Sequence, residues 1–161
     1  MNRYLVLCSL LAAIGSGVMA GFFYSFSNVV MGALRRIPPV AAIAAMQSIN
    51  VVVLNPLFFA LFFGTALLGL VLVVAALVGG GDAGGLAALG GGLVYLVAVI
   101  GVTVARNVPM NDRLAAVDGA DPASLAPWED YLRRWTLWNH VRTAGALAAC
   151  VLFALAAARG T

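Results

Sequence analysis

Residues 51–78 read VVVLNPLFFALFFGTALLGLVLVVAALV, and no charged side chain interrupts them. A run of this length exceeds the roughly 20 apolar residues that a helix needs to cross a bilayer. Three further apolar runs accompany it, Tyr4 to Leu34, Leu86 to Ala105 and Leu137 to Ala158. Across all 161 residues, 63% are hydrophobic and 9% are charged, too few charges to solvate a globular surface. The expected architecture is therefore all-α: an integral membrane four-helix up-and-down bundle in one domain, with spans over about 4–34, 51–78, 86–105 and 137–158.

The opening stretch also contains its own interruption. Pro38-Pro39 can open a helix, and Val40 to Leu54 then reads as a juxtamembrane helix before the second span. One straight helix from Pro39 to Val78 would run about 60 Å at 1.5 Å per residue, twice the hydrocarbon thickness. Pro56 supplies no backbone donor, so a break is expected at Asn55-Pro56.

The net charge of +3 comes from arginine, since the chain has no lysine. Arg35, Arg36, Arg106, Arg113, Arg133 and Arg134 flank the first and third connections, whereas the second carries Asp82. The positive-inside rule then puts both termini outside and the arginine-rich connections in the cytoplasm of an inner (plasma) membrane protein. The basic balance reads as topology, not nucleic-acid binding. The run after Arg3 passes through Ala20 to Tyr24 without a polar break, so an uncleaved first helix is expected. Cys8 and Cys150 stand singly within spans as small hydrophobes. The glycine-rich stretch Gly79 to Gly85 is a turn without assigned chemistry, and Asp118 to Ser124 reads as an exposed loop.

The polar exceptions are concentrated where spans one and three end and spans two and four begin. An up-and-down bundle brings these ends to one face. They contribute Ser25, Ser27, Asn28, Asn50, Asn55, Asn107, Asn111, Arg113, Asn139, His140 and Arg142. Lipid offers such groups no partner, so each needs a reason to be there. At about 100° per residue, Trp128, Trp135, Asn139 and Arg142 share one face of the last helix, while His140 lies about 100° away from Asn139. Amides donate and accept, arginine is a fixed cation, and histidine exchanges a proton near neutral pH. Such a set can hold and deprotonate a polar aromatic ligand. The structural alternative is that the asparagines cap helices and tie the bundle together, Arg142 snorkels, and Trp128, Tyr131, Trp135 and Trp138 form an interfacial belt. No metal site is expected from one histidine without an inward carboxylate, and no haem site from one axial ligand.

Several strings, in order, carry a family resemblance: Gly21 to Ser27 (GFFYSFS), Met46 to Asn50 (MQSIN), Asn55 to Phe58 (NPLF), Asn107 to Leu114 (NVPMNDRL) and Trp135 to Thr143 (WTLWNHVRT). Together they resemble the anthrone oxygenase family, small four-helix integral membrane proteins whose fungal members oxidise an anthrone to an anthraquinone with molecular oxygen. The resemblance implies an oxygenase acting on an anthrone-like polycyclic aromatic; the residues place its polar pocket at the cytoplasmic end, and an anthrone anion reacts with oxygen without a metal, so a cofactor-independent reaction is expected. From the residues themselves, proton removal is assigned to His140 and charge stabilisation to Arg142 and Arg113. Ligand contacts are assigned to Asn28, Asn50, Asn55, Asn107, Asn111, Asn139 and Trp135, with Tyr24, Phe26 and Trp138 as further apolar walls. The competing expectation is a non-catalytic membrane module that binds a lipid, a quinone or a partner helix, or that self-associates through Gly17-x-x-x-Gly21.

Overall fold

The computed structural model describes residues 2–79 and 82–160. Four helices are long and apolar enough to cross a membrane: α1 (Arg3–Leu34), α3 (Pro56–Val78), α4 (Ala83–Ala115) and α5 (Pro122–Arg159). A shorter apolar helix, α2 (Pro39–Val52), precedes the second span. The break comes at Asn55-Pro56, and the amide of Asn55 makes it. Its Oδ1 accepts the Phe58 N–H at 3.0 Å and its Nδ2 donates to the Val52 carbonyl at 3.0 Å, while Pro56 takes the first turn, where no amide donor is needed. The second span thus starts at Pro56, and Val51–Val52 finish α2.

Around the bundle, α1 packs on α3 and α5, and α4 packs on α3 and α5. With no water to drive association in lipid, close approach does the work, and small residues permit it. At the α3–α4 crossing a Cβ on Gly92 would come within 2.5 Å of the Gly69 carbonyl oxygen; at the α4–α5 crossing one on Gly145 would meet the Ala98 methyl at 2.5 Å. Gly17 faces Cys150, whereas Gly21 of the same stripe has nothing within 4 Å of its Cβ position. The Asp82 carboxylate caps α4 by accepting the Gly85 N–H at 2.6 Å. That bond, foremost, lowers its pKa below the ordinary 3.8. The rest of the expected glycine turn, residues 80 and 81, lies outside the described residues.

Helices α1, α4 and α5 contain 32, 33 and 38 residues. At 1.5 Å per residue they run roughly 50–57 Å, well beyond a hydrocarbon core of about 30 Å. Beyond the apolar segment they form a second core with α2, built from Met31, Ile43, Met46, Leu114, Trp128 and Tyr131 among others. Gln47 of α2 ties this cap to the end of α4, donating to the carbonyls of Leu114 and Val117 at 2.9 Å each. This second core corrects two expectations. Trp128, Tyr131 and Trp135 are buried within it and form no interfacial belt. The stretch expected as an exposed loop, Asp118 to Ser124, ends within the first turn of α5, where Ser124 is buried.

Wide helical turns sit where the two cores meet, and α4 carries a further one over Tyr95–Gly101 within the first core. In α1 the Met31 N–H bonds the Phe26 carbonyl, and in α4 the Val108 N–H bonds the Thr103 carbonyl, both five residues back. Pro109 follows the second one; it lacks an N–H and would crowd the carbonyl four residues earlier, and a widened turn absorbs that misfit. Asn107, expected as a cap, makes no capping bond there.

Candidate functional site

A small, mostly apolar chamber with a cluster of polar side chains in its wall occupies the junction of the two cores. It is lined by Phe22, Phe23 and Phe26 of α1, Asn50 of α2, Phe58 of α3, Thr103 and Asn111 of α4, and Trp135, Asn139 and Arg142 of α5, among others, and has a volume of about 80 Å³. The shared face of α5 predicted from the sequence delivers the last three of these side chains.

Asn139 is fully buried. Its Nδ2 donates to the Phe23 carbonyl and to Ser27 Oγ, each at 2.6 Å, which leaves Oδ1 as the acceptor for Arg142 Nη2 at 2.6 Å. Arg142 also donates from Nη1 to Thr103 Oγ1 at 3.3 Å. Its guanidinium carbon lies 4.5 Å from the centre of the Phe23 ring and 5.1 Å from that of Trp135, so two aromatic faces hold the cation. Arg142 is only 6% exposed, and its Nε is buried without a hydrogen-bond partner. The ion pairs found among the described residues join Arg133 and Arg134 to Asp130, so no carboxylate contacts Arg142. A buried guanidinium with amide, hydroxyl and aromatic neighbours but no anion is electrostatically incomplete.

The remaining amides are arranged around it. Asn111 Oδ1 accepts from Tyr131 Oη at 2.9 Å and from Trp135 Nε1 at 2.8 Å, which fixes the amide with its NH₂ as the free donor end. Asn50 lines the same chamber, its buried Nδ2 beside the Tyr131 hydroxyl but closing no hydrogen bond. The polar residues that line the chamber are thus Asn50, Thr103, Asn111, Asn139 and Arg142, with no carboxylate among them.

The sequence of α3, α4 and most of α5 adds the decisive observation. The model of the anthrone oxygenase family matches residues 57–152. The chain belongs to the anthrone oxygenase family. No curated protein and no solved structure matches it. In this anthrone oxygenase family member the matched segment supplies Thr103, Asn111, Trp135, Asn139 and Arg142, and α1 and α2 complete the walls.

Other residues expected at the site fall outside the chamber. His140 is exposed on the outer face of α5, as its angular offset from Asn139 requires, and lines no part of the cavity. Arg113 is exposed and borders a separate surface cleft with Arg106, Arg134 and Trp138, where the Arg106 guanidinium covers the Trp138 ring at 4.8 Å. Asn28 is exposed and donates to the Tyr24 hydroxyl at 3.0 Å. Asn55 serves the α3 cap. Asn107 is buried but spans helices, donating to the Trp135 carbonyl at 3.3 Å. Sequence reasoning missed Phe23, whose carbonyl and ring both hold the Asn139–Arg142 pair, and Thr103. Their signal was positional: each lies a turn or less from a widened helical segment or within one.

Proposed function

We propose that the protein is a membrane-embedded oxygenase that converts an anthrone-like polycyclic aromatic to the corresponding quinone with molecular oxygen. The observation that carries this reading is Arg142: a buried cation without a counter-ion, held between two aromatic rings and beside amide donors. The oxygenated edge of a flat ring system, whose oxygen becomes anionic, complements that arrangement in charge.

The chemistry follows from the substrate. An anthrone loses a methylene proton to water or hydroxide, and the electron pair delocalises onto its carbonyl oxygen. Arg142 and the NH₂ of Asn111 stabilise that oxyanion, lowering the cost of forming it. The electron-rich carbon passes its electrons to O₂ and a C–O bond forms, giving a hydroperoxide once protonated. Loss of the second C–H proton with cleavage of the O–O bond releases water and leaves the new carbonyl. One anthrone and one O₂ give one anthraquinone and one water. This scheme asks the protein to bind, orient and hold charge. It replaces His140 as the proton acceptor, because that imidazole lies on the outer surface.

The chamber is assigned to the cytoplasmic side on the arginine count, with both termini outside. A second reading, binding without turnover, is favoured by one observation: no carboxylate or imidazole lines the chamber among the described residues. Aerobic conversion of anthrone by the protein in lipid vesicles, followed with O₂ uptake, decides between them. An enzyme-dependent rate above protein-free vesicles, with one O₂ consumed per quinone formed, is the expected result. Saturable binding of anthrone with no O₂ uptake would replace the oxygenase with a binding module.

A further inference from the structure

At about 80 Å³ the chamber is far smaller than the roughly 300–1,000 Å³ of small-molecule sites. It has room for an oxygenated edge but not for a ring system. Beside it lies a cleft of about 420 Å³ between α1, the end of α2 and the start of α3. Phe22, Phe26, Ile49, Val53 and Phe58 line both cavities. The wall between them is aromatic, with the Phe22 ring 5.0 Å from Phe26 and 5.5 Å from Phe58, centre to centre. Apart from Ser48 and Asn55, the cleft lining is apolar. Its outer rim includes Val52 and Leu57, which are 69% and 72% exposed on the flank of the bundle. The cleft thus opens on the flank of the bundle, and behind its aromatic wall lies the chamber that Arg142 lines.

We infer that the cleft is a lateral portal and binding subsite: it takes the apolar body of a flat polycyclic aromatic from the bilayer, while the oxygenated edge passes the Phe22–Phe26–Phe58 wall to reach Arg142. The nature of this ligand rests on the oxygenase reading; the path rests on the two adjoining cavities. An aromatic hydrocarbon body concentrates in the membrane, so entry from the side spares it a passage through water. The wall rings offer offset and edge-to-face contacts to each successive ring of the ligand.

The test uses full-length protein in vesicles, with Cys8→Ala and Cys150→Ala removing native thiols. Ser48→Cys is then labelled with a bulky maleimide on the exposed rim of the cleft. The same label at Val29→Cys, an exposed position that lines neither cavity, is the control. Anthraquinone dissolved in the bilayer quenches tryptophan fluorescence, and Trp135 is the tryptophan in the chamber wall. The Ser48 label should weaken saturable quenching and raise the KM for anthrone by about tenfold, equivalent to about 1.4 kcal/mol of binding. The Val29 label should leave both unchanged. Label-sensitive quenching without any anthrone turnover would uphold the portal and sink the oxygenase reading. Turnover and quenching indifferent to the Ser48 label would overturn the portal and leave the oxygenase reading standing. Absence of saturable quenching in unlabelled protein would also overturn the portal.

Discussion

Replacing Arg142 with methionine separates a functional cation from a structural one, because the two roles predict opposite signs. The side chain gains hydrogen bonds to Asn139 Oδ1 and Thr103 Oγ1, at 2.6 and 3.3 Å, and contacts with two aromatic faces. Hydrogen bonds to a charged group contribute about 1.5–3 kcal/mol each and cation–π contacts about 0.5–2. Against them stands the effective cost of burying an ion without a counter-ion, several kcal/mol. Methionine has similar length, fills the space between Phe23 and Trp135, and makes favourable sulfur–aromatic contacts of about 0.3–1.5 kcal/mol. It leaves Asn139 Oδ1 without its donor, at about 1–3 kcal/mol. The terms nearly cancel, so Arg142→Met should melt within a few degrees of the parent or above it. Activity should behave otherwise: losing one preorganised donor to an oxyanion typically costs about 10²–10³ in kcat. Arg142→Lys should restore little, since an ammonium cannot stack between two rings and bridge Asn139 to Thr103 at once. Anthrone conversion in vesicles gives the rate, and tryptophan fluorescence on heating gives the melting point. A variant that keeps the parental rate, or that loses the rate only together with a large fall in melting temperature, would refute the assignment.

His140→Ala should retain the full rate, since the imidazole lies on the outer face of α5; a steep loss on substitution would return His140 to the mechanism. Asn139→Leu should destabilise strongly, because it strips partners from the Phe23 carbonyl, Ser27 and Arg142 together, at about 1–3 kcal/mol for each group left unsatisfied; thermal melting checks it. For Asp82 the folded pKa is lowered by the Gly85 N–H. Its capping contribution is therefore complete above the ordinary 3.8 and is lost as pH falls through the lower folded value. Amide exchange in the first turn of α4 should accelerate only in that acid range, and acceleration already at pH 6 would contradict it.

The four spans were legible because a bilayer leaves so few options: apolar runs of sufficient length must be helices with their backbone groups satisfied internally. The Asn55-Pro56 break was legible for a different reason, since a proline and a capping amide act through local chemistry. The site was legible only as an end of the bundle. Asn139 and Arg142 follow from the angular arithmetic of one helix, and the same arithmetic puts His140 off their face. What the sequence does not display is how far each helix continues past the membrane. The overhangs of α1, α4 and α5 look like loops and interfacial segments when read one at a time. Only their joint packing with α2 turns Trp128, Tyr131 and Trp135 from membrane anchors into core. Asn107 illustrates the same limit: its position before Pro109 suggests a cap, but the neighbouring α5 backbone offers the Trp135 carbonyl instead.

The position of the chamber gives a physical reason for its preorganisation. A polar pocket in mid-membrane would leave mobile donors facing lipid, and one in the cap would be open to water, where each charge interaction weakens. At the junction, the membrane core lies on one side and the second core on the other, so the donors come from helices locked by both. Arg142 is fixed through Asn139, which in turn is fixed by the Phe23 carbonyl next to the widened turn of α1; Asn111 is fixed by Tyr131 and Trp135 of the cap. The donors thus stand in place before any anion forms, the condition under which electrostatic stabilisation requires no reorganisation during the reaction. The widened turns at Phe26–Val30 and Thr103–Asn107 are part of that arrangement. Each rotates the helix beyond it relative to the span before it, so that one continuous helix can serve the membrane core with one face and the cap with another.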